Sequence, residues 1–443
     1  MHRLELCRSG NYGCGCSRNN RCRHDNNRVN RRERNSNGKM RTSNLNRLLR
    51  HTAPHRFLLL CLPFTASCSE GSGTEPCAGL PTRTVLVYLA GDNNLEEIGR
   101  TPELLRQGWK DTGSKCLIYY DAPQAAPKLF ALTIRHSDAS SVLETVEEYP
   151  EENSSSAGVF GRVVADVVRK YPSDSYGLIF ASHGSGWLPC GALSDPTRTI
   201  GDDRTPGTTG GAREMEITDF AAAIPDHQFD FIIFEACLMS GIEVAYELRN
   251  KTDYLLASSA ELLVPGYAPV YPTAFQYLFD TSLGVPQALE KFAGSYFNYI
   301  DTRNGAYRSA TQSIVYTREM DALAILAGKT TGNTHGRWDD ALLGKLQHFD
   351  RPGSYGDIPA RPRYFDFGQY MAYLAPERQA DLDALLRKTV VWKAATPEFM
   401  AGYNGFTILT HSGLTTYIEQ DEFPELNAAY KKTAWWKATH VQK

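Results

Sequence analysis

The sequence predicts an α/β fold in which a mostly parallel sheet carries helices on both faces. Short apolar runs, such as those at 84–90 and 229–234, have the length and composition of strands buried on both faces. Stretches with helical spacing of apolar residues separate these runs, and Gly, Asp, Asn and Pro mark the turns. Strands that alternate with helices along a chain favour parallel pairing, because each helix carries the chain back across the sheet.

The predicted main domain covers residues 84–285. Its strands are expected at 84–90, 116–120, 177–181, 229–234 and 254–258, and 128–134 is expected to form a hairpin with the second strand. Its helices are expected at about 95–109, between Ser156 and Tyr171, at 218–224 and at about 239–250. Residues 286–443 carry weaker signals, which we interpret as a C-terminal α+β subdomain with helices at about 286–300, 366–375 and 379–390 and strands at 312–316 and 405–410.

The segment before residue 84 has the features of targeting sequence. Residues 1–39 lack hydrophobic periodicity, and we interpret them as a mis-assigned start, whereas 40–67 have the basic and apolar regions of a signal peptide. The Thr-Ala-Ser-Cys run at 65–68 resembles a bacterial lipobox, with Thr65 in place of the usual aliphatic residue. Cys68 is therefore the predicted lipidation site, 68–83 the tether, and the protein is expected to be exported and lipid-anchored to the cell envelope or outer surface. Ordinary secretion, with cleavage near Ser67, is the alternative.

The charge distribution excludes one class of partner. Residues 1–56 carry 14 Lys and Arg against 3 Asp and Glu, whereas the remainder carries 33 against 47. A body this acidic is unsuited to the phosphates of nucleic acid, so no nucleic-acid partner is expected. Four of the ten cysteines follow residue 68, namely Cys77, Cys116, Cys190 and Cys237. An exported protein can form a disulfide among the first three, but the sequence does not assign one.

Candidate chemistry follows two predicted strands, where each strand ends. His183 follows the strand at 177–181, and Cys237 follows the strand at 229–234. Functional groups of parallel sheets gather at the carboxyl ends of the strands, and a histidine beside a thiol can activate it as a nucleophile. Cys237 is expected to open the next helix, whose dipole would favour a thiolate. Gly184 is the candidate for an oxyanion site, together with the backbone N–H of Cys237.

Each of these residues also has an ordinary structural interpretation. A lone buried cysteine is usually a small hydrophobe, and a histidine before glycine is often a turn residue. The pair is more informative, because both residues lie at strand ends, 54 positions apart, and His183 is followed by glycine. Other hydrolase classes lack their motifs, since the chain contains neither Gly-x-Ser-x-Gly nor His-Glu-x-x-His, and no phosphate-binding loop or dinucleotide fingerprint is present.

Three motifs in order resemble the clostripain family of cysteine peptidases. They read Val-Tyr-Leu-Ala-Gly-Asp-Asn-Asn-Leu at 87–95, Ser-His-Gly-Ser-Gly-Trp at 182–187 and Ala-Cys-Leu-Met at 236–239. The resemblance covers about 84–275 well and the rest loosely. It implies a caspase-like α/β/α sandwich, a dyad of His183 and Cys237 without an obligatory third residue, and a protein or peptide substrate cleaved after Arg or Lys. No cofactor is implied for the chemistry itself, and calcium is a candidate because at least one relative depends on it.

Specificity and activation rest on further residues. The family often has Asp two residues before the cysteine, beneath a basic P1 side chain, where this chain has Glu235. Glu261 is a second candidate for the pocket wall, and the alternative for Glu235 is a buried carboxylate satisfied by local donors. The Gly- and Pro-rich loop at 194–213 is the predicted site of self-cleavage, with Arg198, Arg204 and Arg213 as candidates; an uncut surface loop is the alternative.

Three other functions remain open from the sequence alone. A lipoprotein could keep this fold as a catalytically silent binding module. A peptidase group of the same clan that cleaves after Asn also has Glu-Ala-Cys at the nucleophile. A processing enzyme with a single surface protein as substrate would share the chemistry and differ only in biology. The sequence does not predict the oligomeric state.

Overall fold

A nine-stranded sheet forms the centre of the protein in a computed structural model, which describes residues 82–193, 200–204, 214–331, 340–354 and 360–440. Its strands are β1 (Arg83–Ala90), β2 (Lys115–Asp121), β3 (Lys128–Ile134), β4 (Ser141–Glu148), β5 (Ser175–Ala181), β6 (Phe229–Glu235), β7 (Thr252–Ala257), β8 (Thr311–Tyr316) and β10 (Val390–Ala395). They lie in the order β10-β8-β7-β6-β5-β1-β2-β3-β4. The pairs among β2, β1, β5, β6 and β7 are parallel, and antiparallel strands extend both edges.

Helices cover both faces of this sheet. They are α1 (Thr101–Gly108), α2 (Ala157–Lys170), α3 (Ile217–Ala222), α4 (Ile242–Glu247), α5 (Tyr271–Ala274), α6 (Val285–Asp301), α7 (Met320–Thr331), α8 (Asp340–Leu343), α9 (Phe367–Leu374), α10 (Gln379–Thr389), α11 (Pro424–Tyr430) and α12 (Ala434–Thr439). Alternate residues of β1 enter two different hydrophobic clusters, one with α2 and α3 and the other with α1 and α6. The predicted α/β/α sandwich with a mostly parallel sheet is therefore confirmed.

Burial explains why the central strands could be recognised. All eight residues of β1 are buried, as is required of a strand covered on both faces. Tyr88 of β1 stacks on Tyr119 of β2 and on Phe180 of β5, with ring centroids 4.4 and 5.3 Å apart. These aromatic contacts fix the relative positions of the three strands, and the loops after β1 and β5 carry residues of the candidate site.

Strands from both sides of residue 285 share the one sheet. β8 pairs with β7, and β10 pairs with β8. The described residues from 82 onward belong to a single compact unit. Two small two-stranded sheets complete the fold: β9 (Phe365–Asp366) with β13 (Thr415–Thr416), and β11 (Glu398–Phe399) with β12 (Phe406–Thr407). The expected strand at 405–410 is thus reduced to the two residues of β12.

Candidate active site

The loops that follow β5 and β6 form the candidate site. These strands are parallel neighbours, with Ala181 opposite Glu235, so His183 and Cys237 lie equally far beyond the paired ends. The two loops touch: the backbone N–H of Ser182 donates to the carbonyl of Glu235. A Cβ atom added to Gly184 would lie 2.7 Å from the carbonyl oxygen of Cys237, so only glycine allows this approach. The sheet therefore brings the predicted histidine and cysteine together at one edge.

The imidazole of His183 has a side-chain partner from a third loop. Its Nε2 lies 2.7 Å from Oδ1 of Asn94, in the loop after β1. Because an amide oxygen only accepts hydrogen bonds, this contact requires the proton on Nε2 and leaves Nδ1 as the basic nitrogen of a neutral ring. His183 is buried, and its carbonyl accepts from the N–H of Gly201. The position and tautomer of the ring are therefore both constrained.

The loop that carries Asn94 is itself held in place by Asn93. The amide nitrogen of Asn93 donates to the carbonyls of Ala90 and Asp202, at 2.7 and 3.1 Å, and its oxygen accepts from the N–H of Leu95 at 2.8 Å. The motif that carries the family resemblance therefore builds a rigid support for the histidine. Asn94 belongs to that motif, but the sequence alone assigns it no role, because its partner His183 is distant in the sequence.

The thiol of Cys237 is half-buried and free. The N–H of Leu262 lies 3.4 Å from Sγ, and Sγ lies 3.8 Å from the carbonyl oxygen of Leu262. Burial, followed by the negative charge of Glu261, raises the pKa of the Cys237 thiol to about 12. In this arrangement the thiol is protonated, and a base has to remove its proton before it can attack.

The prediction that a helix dipole stabilises the thiolate of Cys237 is wrong. α4 begins at Ile242, after Gly241 as its N-cap, and does not begin at the cysteine. Leu238, which is buried, has a φ of 61°, so the chain turns sharply directly after Cys237. The predicted helix at about 239–250 is accordingly shortened to the six residues of α4. A helix terminus this distant leaves the thiol without the predicted stabilisation of its charged form.

Glu235 is held by local donors. Its carboxylate accepts from the N–H of Tyr267 at 2.6 Å and from the hydroxyl of Tyr271. Burial raises the pKa of Glu235 to about 7, although both hydrogen bonds favour the charged form. Gly266 has a φ of 60°, and a Cβ there would lie 2.3 Å from the carboxylate. These contacts correspond to the structural alternative considered for this residue.

Glu261 has a different kind of partner. The guanidinium of Arg351 donates from Nε to Oε2 and from Nη2 to Oε1, both at 3.0 Å. The pair is largely buried, with side-chain exposures of 16% for Arg351 and 8% for Glu261. Both side chains act on the pKa of Cys237, Glu261 raising it and Arg351 lowering it. Of the two acids predicted to line the pocket, Glu261 therefore lies near the thiol and is paired with Arg351, whereas Glu235 is bound by Tyr267 and Tyr271.

Residues 200–204 close one side of the site. The N–H of Arg204 donates to the carbonyl of Asp92 at 2.8 Å, and its guanidinium pairs with the buried carboxylate of Asp202 at 3.3 Å. Arg204 is thus tied to the loop after β1. The other two self-cleavage candidates, Arg198 and Arg213, and the lipidation candidate Cys68 lie outside the described residues.

Three further observations concern the cofactor, disulfide and membrane predictions. In the part of the chain that the structure describes, no group of three or more His, Cys, Asp or Glu side chains could hold a metal ion. Cys116 is a free, buried thiol, and Cys77 lies outside the described residues. Among the described helices, none combines the length and apolar character needed to cross a bilayer. Calcium and the lipid anchor therefore stay predictions.

Comparison with known proteins identifies one family. The model of the clostripain family matches residues 87–325. Clostripain of Hathewaya histolytica is 26% identical over 290 residues, which are 58% of this chain and 52% of that protein, so the chain spans about half the length of this relative. An inactive zymogen C11 protease from Parabacteroides distasonis is 29% identical, with a TM-score of 0.66, and the match covers 81% of this chain and 98% of that one. A secreted C11 cysteine protease from Bacteroides thetaiotaomicron, solved with an irreversible peptide inhibitor, is 26% identical, with a TM-score of 0.67 and the same coverage.

Proposed function

The chain belongs to the clostripain family, and we propose from this premise that it is a cysteine endopeptidase with Cys237 as nucleophile and His183 as base. One observation carries the proposal. The loops after two neighbouring parallel strands hold an imidazole and a free thiol at equivalent positions, in contact through Gly184. Such a pair is the minimum needed for nucleophilic catalysis on a carbonyl group.

The reaction begins with the proton on the thiol. Because burial keeps Cys237 protonated, the Nδ1 of His183 takes this proton as sulfur attacks the scissile carbonyl. The carbonyl π electrons move to oxygen, and backbone N–H groups at Gly184 and Cys237 stabilise that charge. The imidazolium then protonates the leaving amine, which departs and leaves a thioester on Cys237.

Deacylation reverses the roles of the same groups. His183, neutral again, takes a proton from water, and the hydroxide attacks the thioester carbonyl. The C–S bond breaks, sulfur recovers the proton, and a carboxylic acid is released. Asn94 holds Nε2–H throughout, so Nδ1 faces the chemistry in both half-reactions.

The proposed substrate is a protein or peptide with Arg or Lys at P1. The charge of Glu261 acts on the thiol, Glu235 lies two residues before Cys237 in the chain, and a cationic P1 side chain is the complement of such carboxylates. An Asn-specific peptidase is the alternative, since Glu235 is already satisfied by Tyr267 and Tyr271. The relative from Bacteroides thetaiotaomicron binds a peptide inhibitor, which supports an extended peptide as ligand here.

Export and self-processing are part of the proposal. The relative from Bacteroides thetaiotaomicron is secreted, and that from Parabacteroides distasonis was solved as an inactive zymogen. We propose export with a lipid on Cys68, and activation by cleavage in the 194–213 loop. Intact-mass measurement of the purified protein tests both proposals. A lipid on Cys68 adds mass to the N-terminal fragment. Self-cleavage gives two fragments of the wild type, whereas Cys237→Ala should stay a single uncut chain.

Hydrolysis of fluorogenic peptides with P1 Arg, Lys, Asn and Asp tests the catalytic proposal. Wild-type protein and Cys237→Ala are compared, each with and without calcium. Cleavage after Arg or Lys that is lost in the variant is the expected result. Cleavage after Asn alone would replace the basic preference, and no cleavage by either intact or nicked protein would favour the binding-module alternative.

A further inference from the structure

Arg351 supplies the charge that a basic substrate would bring to Glu261. Its guanidinium binds the Glu261 carboxylate through two parallel hydrogen bonds of 3.0 Å. This fork is the geometry with which an arginine side chain recognises a carboxylate in a binding pocket. The shortest separation between the charged atoms of the pair is 2.8 Å. An internal arginine therefore already occupies Glu261, one of the two acids proposed for the substrate pocket.

The pair lies next to the reactive sulfur. Leu262, which follows Glu261, contacts Sγ of Cys237 through its backbone N–H at 3.4 Å. The N–H of Leu238, which follows the cysteine, donates to the carbonyl of Ala260 at 3.0 Å. The chain before and after Glu261 is thus attached to the nucleophile loop on both sides. A substrate whose scissile bond lies at Cys237 would therefore place a neighbouring side chain close to the Glu261 carboxylate.

Arg351 belongs to a separate loop that is attached to the pocket at a few points. Phe349 packs with Ala260 and Phe399 in a small hydrophobic cluster. Arg351 Nη1 donates to the carbonyl of Tyr403 at 3.3 Å, and the amide of Asn404 donates to Ser354 Oγ at 2.7 Å. The backbone on both sides of Arg351 is therefore held by the packing of Phe349 and by the bond between Asn404 and Ser354, and both stay in place when the Arg351 side chain gives up its own bonds to Glu261 and Tyr403.

We propose that Arg351 is a specificity-determining residue that mimics a basic P1 side chain on Glu261, so that an arginine or lysine of the substrate must displace it. The proposal rests on the proposed peptidase function of the same site. Displacement exchanges one cation for another, and no carboxylate is left buried and unpaired in the bound state. A neutral P1 side chain does not take part in this exchange. Arg351 therefore lowers the affinity for basic substrates and leaves the affinity for neutral substrates unchanged.

Removal of Arg351 should therefore improve binding of basic substrates. In the Cys237→Ala background, which prevents turnover, calorimetry gives the Kd of two peptides that differ only in P1, Arg or norleucine. Arg351→Ala should lower the Kd of the Arg peptide at least tenfold and change that of the norleucine peptide less than twofold. Adding Glu261→Gln should abolish this gain, because the neutral amide attracts no cation.

Two further variants separate specificity from stability. Arg351→Met keeps the aliphatic stem of the side chain and guards against misfolding of the alanine variant. Arg361→Ala breaks a more exposed ion pair, with Glu422 at 2.7 Å, and should leave both Kd values unchanged. Thermal unfolding identifies which variants are folded.

The outcomes distinguish this proposal from the catalytic one. A Kd for the Arg peptide that stays within twofold or rises in folded Arg351 variants would overturn the role of Arg351. Failure of either peptide to bind any folded variant would overturn it too, because the pocket would then not be a substrate pocket. Hydrolysis by the same variants with Cys237 restored is scored separately. Loss of all cleavage together with the tenfold gain in binding would contradict only the catalytic proposal.

Discussion

Replacing Asn94 with alanine removes the partner that orients His183. The hydrogen bond is 2.7 Å long, and its donor becomes an imidazolium when His183 holds the proton of Cys237. Hydrogen bonds to charged groups contribute about 1.5–3 kcal/mol net. Asn94 is exposed, so water replaces part of the contact, and we expect a loss of roughly 1–2 kcal/mol of transition-state stabilisation. At about 1.4 kcal/mol for each factor of ten, kcat/KM should fall about five- to thirtyfold.

The assay is kcat/KM for the best fluorogenic peptide as a function of pH. The loss in Asn94→Ala should appear mainly in kcat, because Asn94 acts through the base and not through substrate binding. Asn94→Asp should move the acid limb of the profile to higher pH, since a carboxylate at Nε2 stabilises the protonated ring. Asn304→Ala, at another exposed asparagine whose side chain makes no cap hydrogen bond, is the control. A profile of folded Asn94→Ala within twofold of wild type at every pH would refute the reasoning.

Three further changes test the surroundings of the site. Gly184→Ala should lower activity at least tenfold and destabilise the fold by about 1–3 kcal/mol in urea unfolding, because its Cβ would lie 2.7 Å from a backbone carbonyl oxygen. The control Gly158→Ala, which has open space around its Cβ, should change neither quantity. Equal effects of the two substitutions would contradict the steric argument. Glu261→Gln should speed alkylation of Cys237 by iodoacetamide at neutral pH, since the Glu261 charge raises the thiol pKa; an unchanged rate would count against that electrostatic role. Burial raises the pKa of Glu243 from 4.5 to about 7. The folded state therefore binds this proton more tightly than the unfolded state, which stabilises it by up to about 3 kcal/mol below pH 4.5. This contribution is lost as the pH rises to 7. Glu243→Gln should flatten the fall of Tm across that pH range, and an equally steep fall in the variant would assign the titration to another group.

Strand predictions succeeded where burial on both faces left an unbroken apolar run. β1 is of this kind from Val85 to Ala90, and β6 from Phe231 to Phe234. β4, at the edge of the sheet, reads Ser-Val-Leu-Glu-Thr-Val-Glu-Glu and is mostly exposed or half-buried, so its sequence has no such run. β10, at the other edge, begins at Val390, where the predicted helix at 379–390 ends, and the sequence predicts no strand there. Edge strands depend on a partner for their pairing, and that partner is not visible in the local sequence.

The candidate site divides in the same way. His183 and Cys237 could be predicted because each directly follows a recognisable strand, and parallel neighbours bring such positions together. The contacts that position them could not be predicted. Asn94 is 89 residues from His183, and Arg351 is 90 residues from Glu261. No local sequence pattern indicates either pair, because the tertiary fold alone determines which side chain reaches which loop. The dipole prediction failed for a local reason: the left-handed turn at Leu238 delays the helix.

The two candidate acids of the pocket, Glu235 and Glu261, are not equivalent receptors for a cation. A basic side chain that approached Glu235 would have to replace donors from Tyr267 and Tyr271, and burial raises the pKa of this carboxyl to about 7, so part of it is neutral at physiological pH. At Glu261 the exchange is of one cation for another, and the number of buried charges stays the same. Moving an additional charge into a buried site costs several kcal/mol, roughly, whereas exchange of like for like avoids that cost. Glu261 is therefore the acid through which a basic P1 side chain is expected to act, and the departure at Glu235 from the aspartate common in the family is compatible with a basic preference.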